Sequence, residues 1–146
     1  MKEPLVLHPT RTQLQVRFSD TDMLGHINNL SYAAYAEIGR AHFFTSLGEN
    51  APWFLMAKME LEFQKEGYMH DDLYVVTSVE KLGKTSMTLR QDIVRNDNET
   101  IVSTRAVLVC IDRASRSKMT IPEHWRIPET HAHAHLLTFE RTEAPK

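Results

Sequence analysis

One feature constrains this chain more than any other. A single long run with helical periodicity is followed, up to about residue 112, by segments that alternate at period two. Between Leu30 and Leu47 there is no proline, and Gly39 is the lone glycine. Ile27, Leu30, Ala34, Ile38 and Ala41 step by three or four, as one helical face does. Tyr35, Ala36, Phe43 and Phe44 extend the apolar surface around much of the cylinder. A helix apolar over so much of its circumference is expected to be wrapped by other structure. Asn28 or Asn29 can cap its start, and Gly48 is placed to end it. Such a helix is a rod of roughly 27 Å.

The strands read as follows. Before the helix, Leu14, Val16 and Phe18 alternate with Gln13, Gln15 and Arg17, which predicts a strand over Gln13–Phe18. After Pro52, Met59, Leu61 and Phe63 alternate with polar neighbours, and further strands are expected over 73–82, 87–94 and 101–111. Leu82-Gly83-Lys84-Thr85 and Asn96-Asp97-Asn98-Glu99 have the chemistry of tight turns between antiparallel neighbours. The continuously apolar Ala106–Ile111 predicts a central strand buried on both faces. Ile121–Arg126 is expected to form one helical turn. The stretch from 129 to 146, with His131, His133 and His135, reads as a tail after a single domain of residues 1–128. The class is α+β: one helix against one five-stranded antiparallel sheet. The apolar helix surface and open sheet edges lead us to expect a dimer or larger assembly.

At 146 residues the chain fits one domain. Lys+Arg 17 against Asp+Glu 19 leaves no excess positive charge to hold a nucleic-acid backbone, so a nucleic-acid partner is not expected. Cys110, without a second cysteine, forms no intrachain disulfide and reads as a small core residue. No run resembles a secretory signal or a membrane span, so a cytoplasmic protein without a membrane partner is expected. No G-x-x-x-x-G-K, G-x-G-x-x-G or G-x-S-x-G string is present. The alternating histidines lack an acidic or cysteine partner at useful spacing, so no metal site is expected there.

The densest chemistry lies in Arg17-Phe-Ser-Asp20-Thr-Asp22-Met-Leu-Gly25-His26-Ile27-Asn28-Asn29-Leu-Ser-Tyr32, joining a strand end to the helix start. A helix start has unpaired N–H groups and a positive dipole end, which stabilise charge developing on a carbonyl oxygen. A nearby carboxylate can act on that carbonyl as nucleophile or base. Asp20 and Asp22 are equally the residue type that turns and caps favour.

The string V-R-F-S-D-T-D-M-L-G-H-I-N-N-L-S-Y-A-A-Y, Val16 to Tyr35, resembles the signature of hotdog-fold acyl thioesterases, nearest the 4-hydroxybenzoyl-CoA thioesterase group. G-H-I-N-N is also similar to plant acyl-carrier-protein thioesterases, and I-P-E-H-W-R resembles the family's closing segment. The resemblance implies the hotdog fold, a long helix wrapped by a five-stranded sheet. It implies Asp22 as catalytic carboxylate and His26 as a second catalytic group. It implies N–H groups near Gly25–Asn28 that polarise a thioester carbonyl, and substrate contacts at Gly25, Ile27, Asn28 and Tyr32. The asparagine of the plant triad falls on Leu24, which cannot hydrogen-bond through its side chain. The implied activity is hydrolysis of an acyl-CoA thioester without metal or redox cofactor. The implied assembly is a homodimer or homotetramer with the site at a subunit interface. Alternatives are an acyl-carrier-protein thioesterase, a hotdog dehydratase or hydratase, and a non-catalytic acyl-thioester binder. The acyl chain is expected along the helix against Phe43, Phe44 or Trp53-Phe54. Lys81, Lys84 and Arg90 are the cations considered for coenzyme A phosphates. Glu37 is expected in solvent or beside Arg40.

Overall fold

The computed structural model describes residues 2–96 and 99–129. The elements are β1 (Leu5–Val6), β2 (Thr10–Gln13), a 3-10 turn (Phe18–Asp20), α1 (Asn29–Thr45), β3 (Trp53–Phe63), β4 (Leu73–Leu82), β5 (Ser86–Arg95), β6 (Glu99–Ile111) and β7 (Trp125–Arg126). Five strands form one antiparallel sheet in the order β2-β4-β5-β6-β3. The short β1 and β7 pair in parallel beside it. The helix lies on one face, over β2, β4 and β5. One helix on a five-stranded sheet is the expected hotdog architecture. No helix among the described residues is long and apolar enough to cross a membrane.

The helix begins as expected: the Asn28 side chain accepts from the Leu30 N–H at 2.8 Å. It gives way at Ser46, and Gly48 follows at φ +96°. The buried face differs from the predicted stripe. Tyr32, Tyr35, Ala36, Gly39 and Phe43 face the sheet, whereas Leu30 is 79% exposed and Ala34, Ile38 and Ala41 are open too. With apolar residues all round the cylinder, periodicity could not choose the face. Close approach chose it: a Cβ on Gly39 would stand 2.0 Å from Val75 Cγ1, so only glycine lets the helix reach β4 there. Glu37 lies in solvent, as expected.

The layer between helix and sheet has two apolar ends and a polar waist. Around the helix start, Tyr32 and Tyr35 pack with Leu14, Ile27, Val75, Ile93 and Ile101. Around its end, Phe43 packs with Leu7, Met87, Leu89, Cys110 and Trp125. Each large apolar side chain buried there contributes about 1.5–3 kcal/mol. Between them the Gln91 amide donates to the Ala36 carbonyl at 2.8 Å and Thr77 Oγ1 at 3.0 Å, and Arg40 donates to Gln91 Oε1 at 3.1 Å. These contacts supply the partners that buried polar groups require.

Three further expectations are corrected. The first strand spans Thr10–Gln13, not Gln13–Phe18. Leu14 is buried and Val16 half-buried, but Phe18 is 78% exposed. Hydrogen bonds between Arg17 and Asp20 turn the chain out of the sheet at that point. In Ala106–Ile111, Val107 and Val109 are only half-buried, because no second layer among the described residues covers the sheet's outer face. Ile121–Arg126 is a turn closed by Trp125 N–H on the Pro122 carbonyl, followed by the β7 pairing, rather than a helical turn. The tail histidines lie outside the described residues.

Candidate active site

The segment between β2 and α1 is shaped by two aspartates. Asp20 is buried, 3% exposed. Its carboxylate accepts the Arg17 backbone N–H at 2.9 Å, the Arg17 guanidinium at 2.9 Å and the Tyr35 hydroxyl at 2.8 Å. Its carbonyl accepts the Asn28 N–H at 2.8 Å and the Ser31 hydroxyl at 3.0 Å. Desolvation alone would raise its pKa. The Arg17 side-chain and backbone hydrogen bonds, the Tyr35 hydrogen bond and the Arg17 charge together outweigh that and hold it below the usual carboxylate range. Desolvation, then the hydrogen bond to Asp20, pushes the Tyr35 hydroxyl well above its ordinary value.

Asp22 stands at the mouth of the loop that Asp20 ties down. Thr21 and Ile27 bridge across the loop, and Gly25 turns it at φ +86°, a conformation glycine adopts without strain. The Asp22 N–H donates to the His26 carbonyl at 2.7 Å. Asp22 Oδ1 accepts the Leu24 N–H at 2.8 Å and the His26 N–H at 3.1 Å, an Asx-type arrangement that fixes the carboxylate plane. Oδ2 accepts no hydrogen bond among the described residues, and the residue is exposed.

The N–H groups expected to polarise a carbonyl are already committed. Gly25 donates to the Asp22 carbonyl, His26 to Asp22 Oδ1, Ile27 to the Gly67 carbonyl and Asn28 to the Asp20 carbonyl. The next N–H along, that of Asn29, the first residue of α1 at the positive end of the helix, has no acceptor among the described residues.

These groups open onto a cleft of about 540 Å³ between the helix start and the end of β3. Asp22, His26, Ile27, Asn28, Asn29 and Tyr32 line one side, and Phe63 to Glu66 the other. Of the expected site residues, Asp22, His26, Ile27, Asn28 and Tyr32 are brought together. Gly25 shapes the loop but does not line the cleft. Ile27 and Tyr32 form its buried floor. The Tyr32 hydroxyl accepts the Gly67 N–H at 2.9 Å, and burial raises its pKa. His26 Nε2 lies 3.3 Å from Glu66 Oε2.

Phe43 and Phe44 are not part of this cleft. Phe43 is fully buried at the other end of the helix, and Phe44 stacks on Phe54, which stacks on Trp125. Lys81, Lys84 and Arg90 do not line the cleft either; Arg90 pairs with Asp92 at 3.2 Å on β5. The reading of the residues missed Asn29 as donor, Phe63 as wall and Glu66 as neighbour of His26. Phe63 was visible as an alternating apolar position, whereas Glu66 carries no local signal.

Residues 16–128 match the thioesterase-like superfamily. The acyl-CoA thioester hydrolase YbgC of Escherichia coli is 26% identical over 120 residues, covering 77% of this chain and 90% of that one. A predicted thioesterase from Bacillus stearothermophilus superposes with a TM-score of 0.70 at 27% identity, covering 80% of this chain and 90% of that one. A Thermus thermophilus thioesterase, solved with coenzyme A and Zn, gives a TM-score of 0.70 at 27% identity over 78% of this chain and 91% of that one. The chain therefore belongs to the thioesterase-like superfamily, and its long helix on a five-stranded antiparallel sheet is the hotdog fold of that family of thioester hydrolases.

Proposed function

We propose that this chain hydrolyses an acyl-CoA thioester to a free acid and coenzyme A, with Asp22 as the catalytic carboxylate. The observation that carries the reading is the Asp22 carboxylate itself. Two backbone N–H groups hold Oδ1, Oδ2 accepts no hydrogen bond among the described residues, and Asn29, whose N–H has no acceptor among them either, lines the same cleft. The names of the relatives, one an acyl-CoA thioester hydrolase and one bound to coenzyme A, support the substrate class.

In this reading the thioester carbonyl oxygen takes the Asn29 N–H, whose position at the helix start favours developing negative charge. Asp22 Oδ2 then acts in one of two ways. As nucleophile it bonds to the acyl carbon, the C–S bond breaks, and water cleaves the resulting anhydride. As base it takes a proton from the water that attacks the same carbon, and the C–S bond then breaks to release the coenzyme A thiolate. His26 is the second group in the cleft able to exchange a proton. Ile27, Asn28 and Tyr32 contact the substrate, and Gly25 sets the loop that presents Asp22.

The site is completed at an interface between copies of the chain. β3 is an edge strand whose Trp53, Leu55, Met56 and Phe63 are exposed, and the cleft opens beside its end. An uncovered apolar edge of this kind is a pairing surface.

The test is thiol release from a panel of acyl-CoAs by the full chain, with an acyl-carrier-protein ester and hydration of an enoyl-CoA run beside it. Rapid release from at least one acyl-CoA is expected, and the panel names the acyl group. Release only from the carrier protein, hydration without release, or binding without turnover would overturn the reading in favour of the corresponding alternative.

A further inference from the structure

Glu66 stands against the ring of His26, on the segment between β3 and β4. Its Oε2 is 3.3 Å from His26 Nε2, and the Tyr68 hydroxyl donates to the same oxygen at 3.4 Å. The Tyr68 ring meets the imidazole edge-on, with centroids 5.2 Å apart, and the two residues bridge through their backbones.

The segment that carries Glu66 is tied down on both sides. The Gly67 carbonyl accepts the Ile27 N–H at 2.9 Å, and the Gly67 N–H donates to the Tyr32 hydroxyl at 2.9 Å. A Cβ at Gly67 would lie 2.8 Å from that hydroxyl, so the backbone sits too close for any side chain. Arg95 on β5 donates to the Glu66 carbonyl at 2.8 Å, to Asp71 at 2.9 Å and to Glu99 at 3.0 Å. The Glu66 side chain is 62% exposed, but the backbone it hangs from is fixed to the site floor and to the sheet.

We propose that Glu66 is a positioning residue for His26: its carboxylate selects the Nε2–H tautomer and leaves Nδ1 as the ring nitrogen that exchanges protons in the cleft. An ionised carboxylate has no proton to donate and its charge favours a proton on the nearest ring nitrogen, so the nitrogen 3.3 Å from it carries the proton. Nδ1 has no partner among the described residues and then holds the lone pair. Neither oxygen of the Asp22 carboxylate pairs with the ring among the described residues; Oδ1 is held by backbone N–H groups, and the ring's ion-pair partner is Glu66. The inference rests on the thioesterase reading for its catalytic consequence, but the pairing itself does not.

The test uses the full chain labelled with ¹⁵N-histidine, at a pH where the ring is neutral, with His26 assigned by comparison with His26→Gln. The wild type is expected to show the Nε2–H signature. In Glu66→Ala the ring is expected to become a mixture of tautomers. Its kcat on the best acyl-CoA should fall about tenfold with KM little changed, a fraction of what a general acid–base group supplies. Glu66→Gln keeps an accepting oxygen and is expected to restore the tautomer and much of kcat. Because the Glu66 side chain is largely in solvent, both variants should melt with the wild type. An unmoved tautomer in Glu66→Ala overturns the proposal, and so does a moved tautomer with unchanged kcat. Absence of turnover in the wild type would overturn the thioesterase reading instead, and the tautomer shift would still decide the pairing.

Discussion

Asp20 and Asp22 are two residues apart, yet the fold treats them as opposites. Asp20 is enclosed, and both carboxylate oxygens are taken by Arg17 and Tyr35. Its carbonyl gathers the start of the helix through Asn28 and Ser31. Asp22 is open, with one oxygen held by its own loop and the other unclaimed. The same side chain serves as a staple in one place and is proposed as the reagent in the other. The difference comes from the number of donors each carboxylate meets. Full satisfaction stabilises structure, while an unsatisfied oxygen in a cleft retains reactivity. Asp20 is therefore expected to govern whether the loop exists, and Asp22 what the loop does.

The largest effect on folding should come from Asp20→Ala. It leaves the buried Tyr35 hydroxyl without its acceptor and loosens the loop, and a loss of about 2–3 kcal/mol is expected in urea unfolding. Tyr35→Phe removes one donor and spares the rest, so about 1 kcal/mol is expected in the same assay. The pH dependence is a smaller effect, since the Arg17 side of the pair is exposed and screened. The folded pKa of Asp20 lies below its ordinary value of 3.8. Its contribution is therefore complete above that value and is lost as pH falls through the folded pKa. The stability advantage of wild type over Asp20→Asn should accordingly narrow only below about pH 4, read from unfolding curves across an acid series. Asp22→Asn should change stability least, by less than about 0.5 kcal/mol, because the amide oxygen can still accept the Leu24 and His26 N–H groups. A large destabilisation there would break the contrast between the two aspartates.

The parts of this architecture that depend on neighbours in sequence are legible in the amino-acid sequence. The helix, its Asn28 cap, the Gly83 turn and the clustering of Asp22, His26 and Asn28 all lie within short segments whose chemistry is local. What escaped depends on distant pairing. The helix face was misjudged because its apolar residues surround the cylinder, and only the approach of Val75 to Gly39 selects the face. Phe18 had the right alternation but left the sheet when Arg17 met Asp20. Glu66 reaches His26 only because Gly67 seats against Tyr32 and Arg95 grips the same segment. No period or motif around residue 66 encodes that contact. The unclaimed donor also shifted to Asn29, since the bonds taken by Gly25 to Asn28 include carbonyls at Asp20 and Gly67.

The most direct test of the division between the two aspartates is thiol release by Asp22→Asn against wild type on one good acyl-CoA, with the melting temperature taken on the same preparations. The expected result is a kcat lower by about 10³-fold, within the range a general acid–base residue supplies. The melting temperature should stay within about 2 °C. A folded Asp22→Asn protein that keeps wild-type turnover would contradict the account and place the catalytic carboxylate elsewhere.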